Sequence, residues 1–165
     1  MKAVLIKAPI ENVFRNVSNP ENLAHGMTGN SQINIISVER ITKNPIGKGS
    51  TWHFRANVAE SLFEGNAQVT TMNPPSYLAV EQIGAGAFFK TMKIEQRLRK
   101  NKSGTQLEIL VRYELKDANK KQDREIRRML QAYLAILMER TKQLTEAEKV
   151  TKQNGASPPN LPVRV

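Results

Sequence analysis

Two histidines, three tyrosines and fifteen carboxylates are the side chains with which this 165-residue chain could move protons, and it has no cysteine. His25 stands beside Gly26 where a helix gives way to a loop. There it could line the mouth of a pocket as an acid or base near neutral pH. His53 alternates with Trp52 and Phe54 and shares the polar side of its strand with Arg55, so it reads as a surface residue. No pair of histidines has the spacing of metal ligands, and the carboxylates are scattered singly, so no metal site is legible. Without cysteine, disulfides, thiol chemistry and thiolate-bound zinc are excluded. Gly84-Ala85-Gly86 lacks the lysine and the strand-to-helix context of a phosphate-binding loop. The expectation is a protein with no cofactor.

The polar groups with an inward parity are few. Tyr113 and Tyr133 fall on the apolar faces of a strand and a helix, and a buried phenol needs a partner. Gln96 and Lys90 share the parity of Met92 and Ile94, with Lys90 close to the strand's start. The parity of Glu81 is open. These groups either satisfy one another inside an ordinary core or orient one polar end of an otherwise apolar guest. Trp52, Phe54, Phe63, Met92, Ile94, Tyr113, Met129, Tyr133 and Leu137 together form the candidate lining of a ligand cavity. Each alone reads equally as core. Flexible methionines suit a surface that repacks around different guests.

The elements that would hold these residues follow from periodicity and turn chemistry. Residues 2–7 read as a strand. Pro9 then opens a helix on which Ile10, Val13, Phe14 and Val17 recur at helical spacing. Ser18-Asn19-Pro20-Glu21 starts a second, short helix, which Gly26 and Gly29 interrupt. Strand-like alternation follows over 32–41, 51–58, 61–72, 77–83, 88–100 and 105–115, separated by turn-forming clusters such as Asn44-Pro45, Asn73-Pro74-Pro75-Ser76 and Asn101-Lys102-Ser103-Gly104. Short connections make consecutive strands antiparallel neighbours. Over 121–149, Ile126, Met129, Leu130, Tyr133, Leu137, Thr141 and Leu144 lie on one helical stripe, widened by Leu134, Ile136 and Met138. Arg128, Ala135, Glu139, Lys142 and Glu146 form its back. The expected fold is α+β: a seven-stranded, curved antiparallel sheet wrapped around a long C-terminal helix, with two short helices between the first and second strands. Residues 1–149 form this domain, and residues 150–165 read as a disordered tail with little to bury.

The net charge is +10, and the segment from Lys90 to Lys102 carries half of it. Lys120, Lys121, Arg124, Arg127 and Arg128 cluster at the start of the long helix, where the dipole disfavours cations. The segment from Lys90 to Lys102 is either a solvated face or a contact for an anionic surface or an acidic partner. Nucleic acid is disfavoured, because the basic hairpin lacks interleaved aromatics. No apolar run is long enough to cross a bilayer, and the short apolar stretch at the N-terminus is cut off by Pro9. A cytoplasmic location is expected.

This order of elements resembles the helix-grip superfamily, which includes START-type lipid-transfer domains, the polyketide cyclase/dehydrase and lipid-transport group, and birch-pollen-allergen-like proteins. Ile6-Lys7-Ala8-Pro9-Ile10-Glu11-Asn12-Val13-Phe14 is similar to the family's opening strand and first helix, and Val17-Ser18-Asn19-Pro20-Glu21 to its second helix start. Gly47-Lys48-Gly49-Ser50 and Pro74-Pro75-Ser76-Tyr77-Leu78 match its turns. The resemblance implies a cavity between sheet and helix. A cavity rich in apolar groups and poor in titratable ones points to non-catalytic binding or transport of a small hydrophobic molecule such as a lipid, isoprenoid or polyketide. The alternatives are a cyclase- or dehydratase-like enzyme using His25, Glu81 or Tyr113, and a protein-interaction module with a basic surface.

Overall fold

The computed structural model describes residues 1–24, 33–58, 61–83, 89–116 and 119–153. Seven strands, β1 (Lys2–Ile6), β2 (Ile33–Arg40), β3 (Thr51–Val58), β4 (Ser61–Asn73), β5 (Tyr77–Ile83), β6 (Phe89–Asn101) and β7 (Gly104–Leu115), form one sheet in the order β1-β7-β6-β5-β4-β3-β2. Every pairing is antiparallel. The six strands from β2 to β7 are a meander, and β1 closes it by adding to the far side of β7. Helices α1 (Ile10–Ser18) and α2 (Pro20–Ala24) bridge from β1 to β2, and the long α3 (Lys120–Gln153) follows β7.

The closure of β1 on β7 depends on Gly104. Its φ is +145°, and a Cβ there would stand 2.1 Å from the Ile6 carbonyl oxygen. Only a residue without a side chain lets the hairpin from β6 approach the end of β1 this closely. Next to it Thr105, fully buried, donates its hydroxyl to the Ala8 carbonyl at 2.8 Å.

The two short helices form as their sequence predicts. α1 buries Ile10, Val13, Phe14 and Val17 on one face. Asn19 caps α2, its Oδ1 accepting from the Glu21 amide at 3.2 Å. Asn119 caps α3 in the same way, taking the Gln122 amide at 2.8 Å, so the helix begins one residue before the expected start. It runs to Gln153, four residues into the segment read as a tail. The rest of that segment lies outside the described residues, as do His25, the glycines expected to end α2, and Gly84-Ala85-Gly86.

The C-terminal half of α3 is fastened to α1 and β1 by polar contacts. Asn16 donates to Thr145 Oγ1 at 2.9 Å, and both are buried. Glu146 accepts the Lys7 amide at 2.8 Å, so it belongs to the docked side of the helix and not to its back. Thr141 and Thr145 return their hydroxyls to the carbonyls one turn before, Leu137 and Thr141, which lets two hydroxyls be buried without orphaned donors. Leu134, Leu137 and Met138 are buried in the main core, whereas Leu130 and Tyr133 are only partly covered. The stripe therefore centres on Leu134 and Met138, which the periodicity had placed at its margin.

Candidate functional site

The concave face of the sheet is the one carrying Trp52 and Phe54. Along β3 the inward residues Trp52 and Ala56 are buried and the outward Arg55 and Asn57 exposed. Two apolar clusters occupy this face. The larger joins Trp52, Val69, Leu78, Leu98, Leu107 and Ile109 to Leu134, Leu137 and Met138 of α3, with Ile94 and Tyr133 partly buried against it. The smaller joins Phe63 and Phe89 to Ile126 and Met129, with Phe54, Met92 and Tyr113 beside them. All nine sequence-predicted lining residues fall in one cluster or the other. Trp52, Phe63, Met129 and Leu137 are buried, and the other five are partly buried.

The second cluster is a run of aromatic rings. Phe54 and Phe63 stack at 5.3 Å, Phe63 meets Phe89 edge-on at 5.8 Å, and Phe89 meets Tyr113 edge-on at 5.7 Å. Phe89 was not among the expected lining residues. Simple alternation from Met92 puts Lys90 inward and Phe89 outward. A register shift between Phe89 and Thr91 reverses that parity, as an extra bulge residue does. Phe89 is buried, and Lys90 faces out to pair with Glu114 at 2.7 Å.

α3 lies closer to one side of the sheet than to the other. Its backbone comes nearest to β1, β7, α1 and α2, and it reaches β3, β4 and β5 through the side chains of Ile126, Met129, Leu134, Leu137 and Met138. Small residues lie on β4 beneath the side chains of β3. Gly65 is opposite Phe54 and Ala67 opposite Trp52. Near the other end, an open cleft of about 470 Å3 lies between β7 and the first half of α3, lined by Met1, Val111, Arg112, Tyr113, Asp123, Arg127, Leu130, Gln131 and Leu134. Of the nine expected lining residues, only Tyr113 borders this cleft.

The polar groups divide by what they already hold. Tyr113 donates to Asp123 Oδ1 at 2.9 Å, and Arg127 reaches Asp123 Oδ2 at 3.2 Å. Burial, and then this donation to a carboxylate, push the Tyr113 phenol above its ordinary value. Tyr133 has a phenol raised by burial alone and no hydrogen-bond partner among the described residues. Gln96 is buried on the concave face of β6. Glu81 faces outward, paired with Lys93 at 2.9 Å and within 3.4 Å of the Thr70 hydroxyl. Its outward position resolves its parity and removes it from the cavity. His53 is also outward, between Asn66 Oδ1 at 2.8 Å and Glu64 Oε1 at 3.1 Å.

Sequence reasoning passed over Gln82. Both polar atoms of its side chain are buried without a partner among the described residues, and so is Trp52 Nε1. The amide nitrogen of Gln82 would lie 3.8 Å from a Cβ built on Gly65. It is therefore on the concave side, beside the Phe54 ring.

The convex face carries the charge. Glu95 is buried there because side chains lie over it, not because it is deep in the core. It accepts the Tyr77 hydroxyl at 2.7 Å and pairs with Arg112, with Arg97 at 3.9 Å. The Tyr77 hydrogen bond first, then the two guanidiniums, hold its carboxyl below the usual range. The basic stretch from Lys90 to Lys102 is interleaved with carboxylates from other elements. Lys90 has Glu114, Lys93 has Glu81, Arg99 has Glu108 at 4.0 Å and Lys100 has Glu11 at 3.7 Å. Among the described residues there is no group of three or more His, Asp or Glu that could hold a metal ion. No helix among them is long and apolar enough to cross a membrane.

A seven-stranded antiparallel sheet gripping one long C-terminal helix, with two short helices between the first two strands, is the helix-grip fold. Solved structures share it over nearly the whole chain. A Thermus thermophilus protein, TTHA0849, superimposes with a TM-score of 0.73 at 15% identity over 89% of this chain and 96% of its own. The Zhui aromatase/cyclase from Streptomyces sp. R1128 gives 0.64 at 17% identity over 92% of each chain. Ara h 8.0201 gives 0.66 at 13% identity over 88% of this chain and 95% of its own. No family model matches the sequence, and no curated protein matches it.

Proposed function

We propose that the chain binds or carries a small hydrophobic molecule, of lipid, isoprenoid or polyketide type, between the concave sheet and α3. The observation that carries this reading is the make-up of the concave face, where the rings of Phe54, Phe63, Phe89 and Tyr113 lie edge to edge and stacked beside buried polar atoms of Trp52 and Gln82 that have no partner among the described residues. A concave, mostly apolar surface with a few polar groups is what a ligand of this kind needs. Trp52, Phe54, Phe63, Met92, Ile94, Tyr113, Met129, Tyr133 and Leu137 are the proposed lining. The fold is shared with an aromatase/cyclase and with Ara h 8.0201, which is consistent with a cavity of this kind.

A second reading, a cyclase- or dehydratase-like reaction in the same cavity, is favoured by one observation. Tyr113 is a phenol held by a carboxylate at the edge of a cleft, and a phenol so placed can donate a proton. The binding reading is preferred because Glu81, one of the three acid–base candidates read from the sequence, faces away from the concave side and is paired with Lys93.

The test is a panel of fatty acids, isoprenoids, sterols and aromatic polyketides, read by melting temperature and by the emission of Trp52, the chain's sole tryptophan. A ligand that binds only the folded state raises stability by mass action. At least one class is expected to raise the melting temperature and change the emission. A panel that moves neither overturns the reading.

A further inference from the structure

Trp52 is 2% exposed and its indole N–H has no acceptor; Gln82 buries a donor and an acceptor that are likewise unpartnered among the described residues. The two lie in one row across the sheet. Trp52 is opposite Ala67, and Ala67 is opposite Gln82. The backbones are two strands apart, about 10 Å, with only a methyl group between them. Gly65, one step along β4, leaves the Gln82 amide and the Phe54 ring free to lean over the same spot.

Burying a polar group without a partner costs free energy, and folded proteins almost always supply one. Three orphaned polar atoms on one row, facing an apolar concavity, are a concentrated exception. We infer that Trp52 Nε1 and the Gln82 amide form a specificity subsite that takes the oxygen of a carbonyl-bearing ligand, with the neighbouring aromatic rings holding the flat body of that ligand. The indole N–H and the amide N–H donate to the carbonyl oxygen. The Gln82 carbonyl remains to accept from a hydroxyl or N–H beside it. A ligand without a polar atom at this point leaves all three orphaned, so the subsite discriminates by unmade hydrogen bonds, the stronger form of selection.

This inference rests on the cavity reading, and a matched pair of probes separates the two. Fluorenone and fluorene share a shape and differ by a carbonyl oxygen. With one tryptophan in the chain, the 15N-labelled protein gives one indole N–H resonance. Fluorenone is expected to move that resonance downfield, while fluorene perturbs backbone amides of β3 to β6 and leaves the indole proton without a hydrogen-bond shift. Gln82→Leu is expected to weaken fluorenone roughly three- to tenfold, the loss of one neutral hydrogen bond, and to leave fluorene unchanged or tighter. If both probes bind alike, the indole resonance moves equally for both and Gln82→Leu affects neither, the subsite is wrong and the cavity stands. If neither probe perturbs any resonance, the cavity reading falls and takes the subsite with it. The wild-type indole signal decides the matter even if the leucine variant folds poorly.

Discussion

Tyr113 and Tyr133 face the same interior and differ in what their hydroxyls already hold. Tyr113 is committed to Asp123, whereas Tyr133 has no partner among the described residues. Sequence parity placed both inward but could not separate them, because Asp123 is on the first turn of α3 and meets Tyr113 only through the tertiary fold. Tyr133→Phe is therefore expected to leave the melting temperature of the free protein unchanged. It should weaken a polar-headed ligand by about 0.5–1.5 kcal/mol and spare an apolar one, as titration calorimetry on each would show. Glu95 gives a separate prediction. Its folded carboxyl sits below its unfolded value, so its contribution is present above the unfolded pKa of about 4.3. That contribution is lost as pH falls through the lower folded value. Glu95→Gln keeps an acceptor for Tyr77 and removes the charge facing Arg112 and Arg97. Urea unfolding should show the variant less stable than wild type at neutral pH, with the gap closing below about pH 4. A gap that does not change with pH would mean that the charge contributes nothing.

At the scale of elements, strand order, antiparallel pairing and the long helix were legible because alternation and turn chemistry are local signals. What was not legible came from irregularities of one residue. The bulge at Phe89/Thr91 exchanged Phe89 for Lys90, and another register shift falls between Val69 and Thr71 in β4. Such bulges leave no mark on composition. Gln82 was missed for a different reason: a lone glutamine near a strand end has no period to betray its burial. The helix face was read nearly right but rotated, since Leu134 and Met138 are more buried than Leu130 and Tyr133. Leu134→Asp should therefore cost roughly 3–5 kcal/mol, as burial of an unpaired charge does. Leu130→Asp, at the cleft, should cost less, and equal losses in melting temperature for the two would contradict this docking. Gly104→Ala places a methyl against the Ile6 carbonyl, so β1 must shift. It is expected to destabilise by more than about 1 kcal/mol.

For the whole molecule, the net charge is +10, and the fold sets acids drawn from α1, β5 and β7 beside Lys90, Lys93, Arg99 and Lys100 of the basic stretch. Cross-strand pairing could not be read from a linear run of lysine and arginine, because Glu11, Glu81, Glu108 and Glu114 lie far away in sequence. Removal of residues 154–165, whose sequence offers little apolar surface to bury, is expected to leave the melting temperature unchanged. The account as a whole depends on whether the space between the sheet and α3 holds an apolar guest. Native mass spectrometry of the protein purified from its own source, without detergent, tests this most directly. The expected result is a folded species carrying an adduct the size of a small organic molecule, released when the chain is denatured in organic solvent. A bare polypeptide mass under native conditions, unchanged after incubation with every member of the ligand panel, would contradict it.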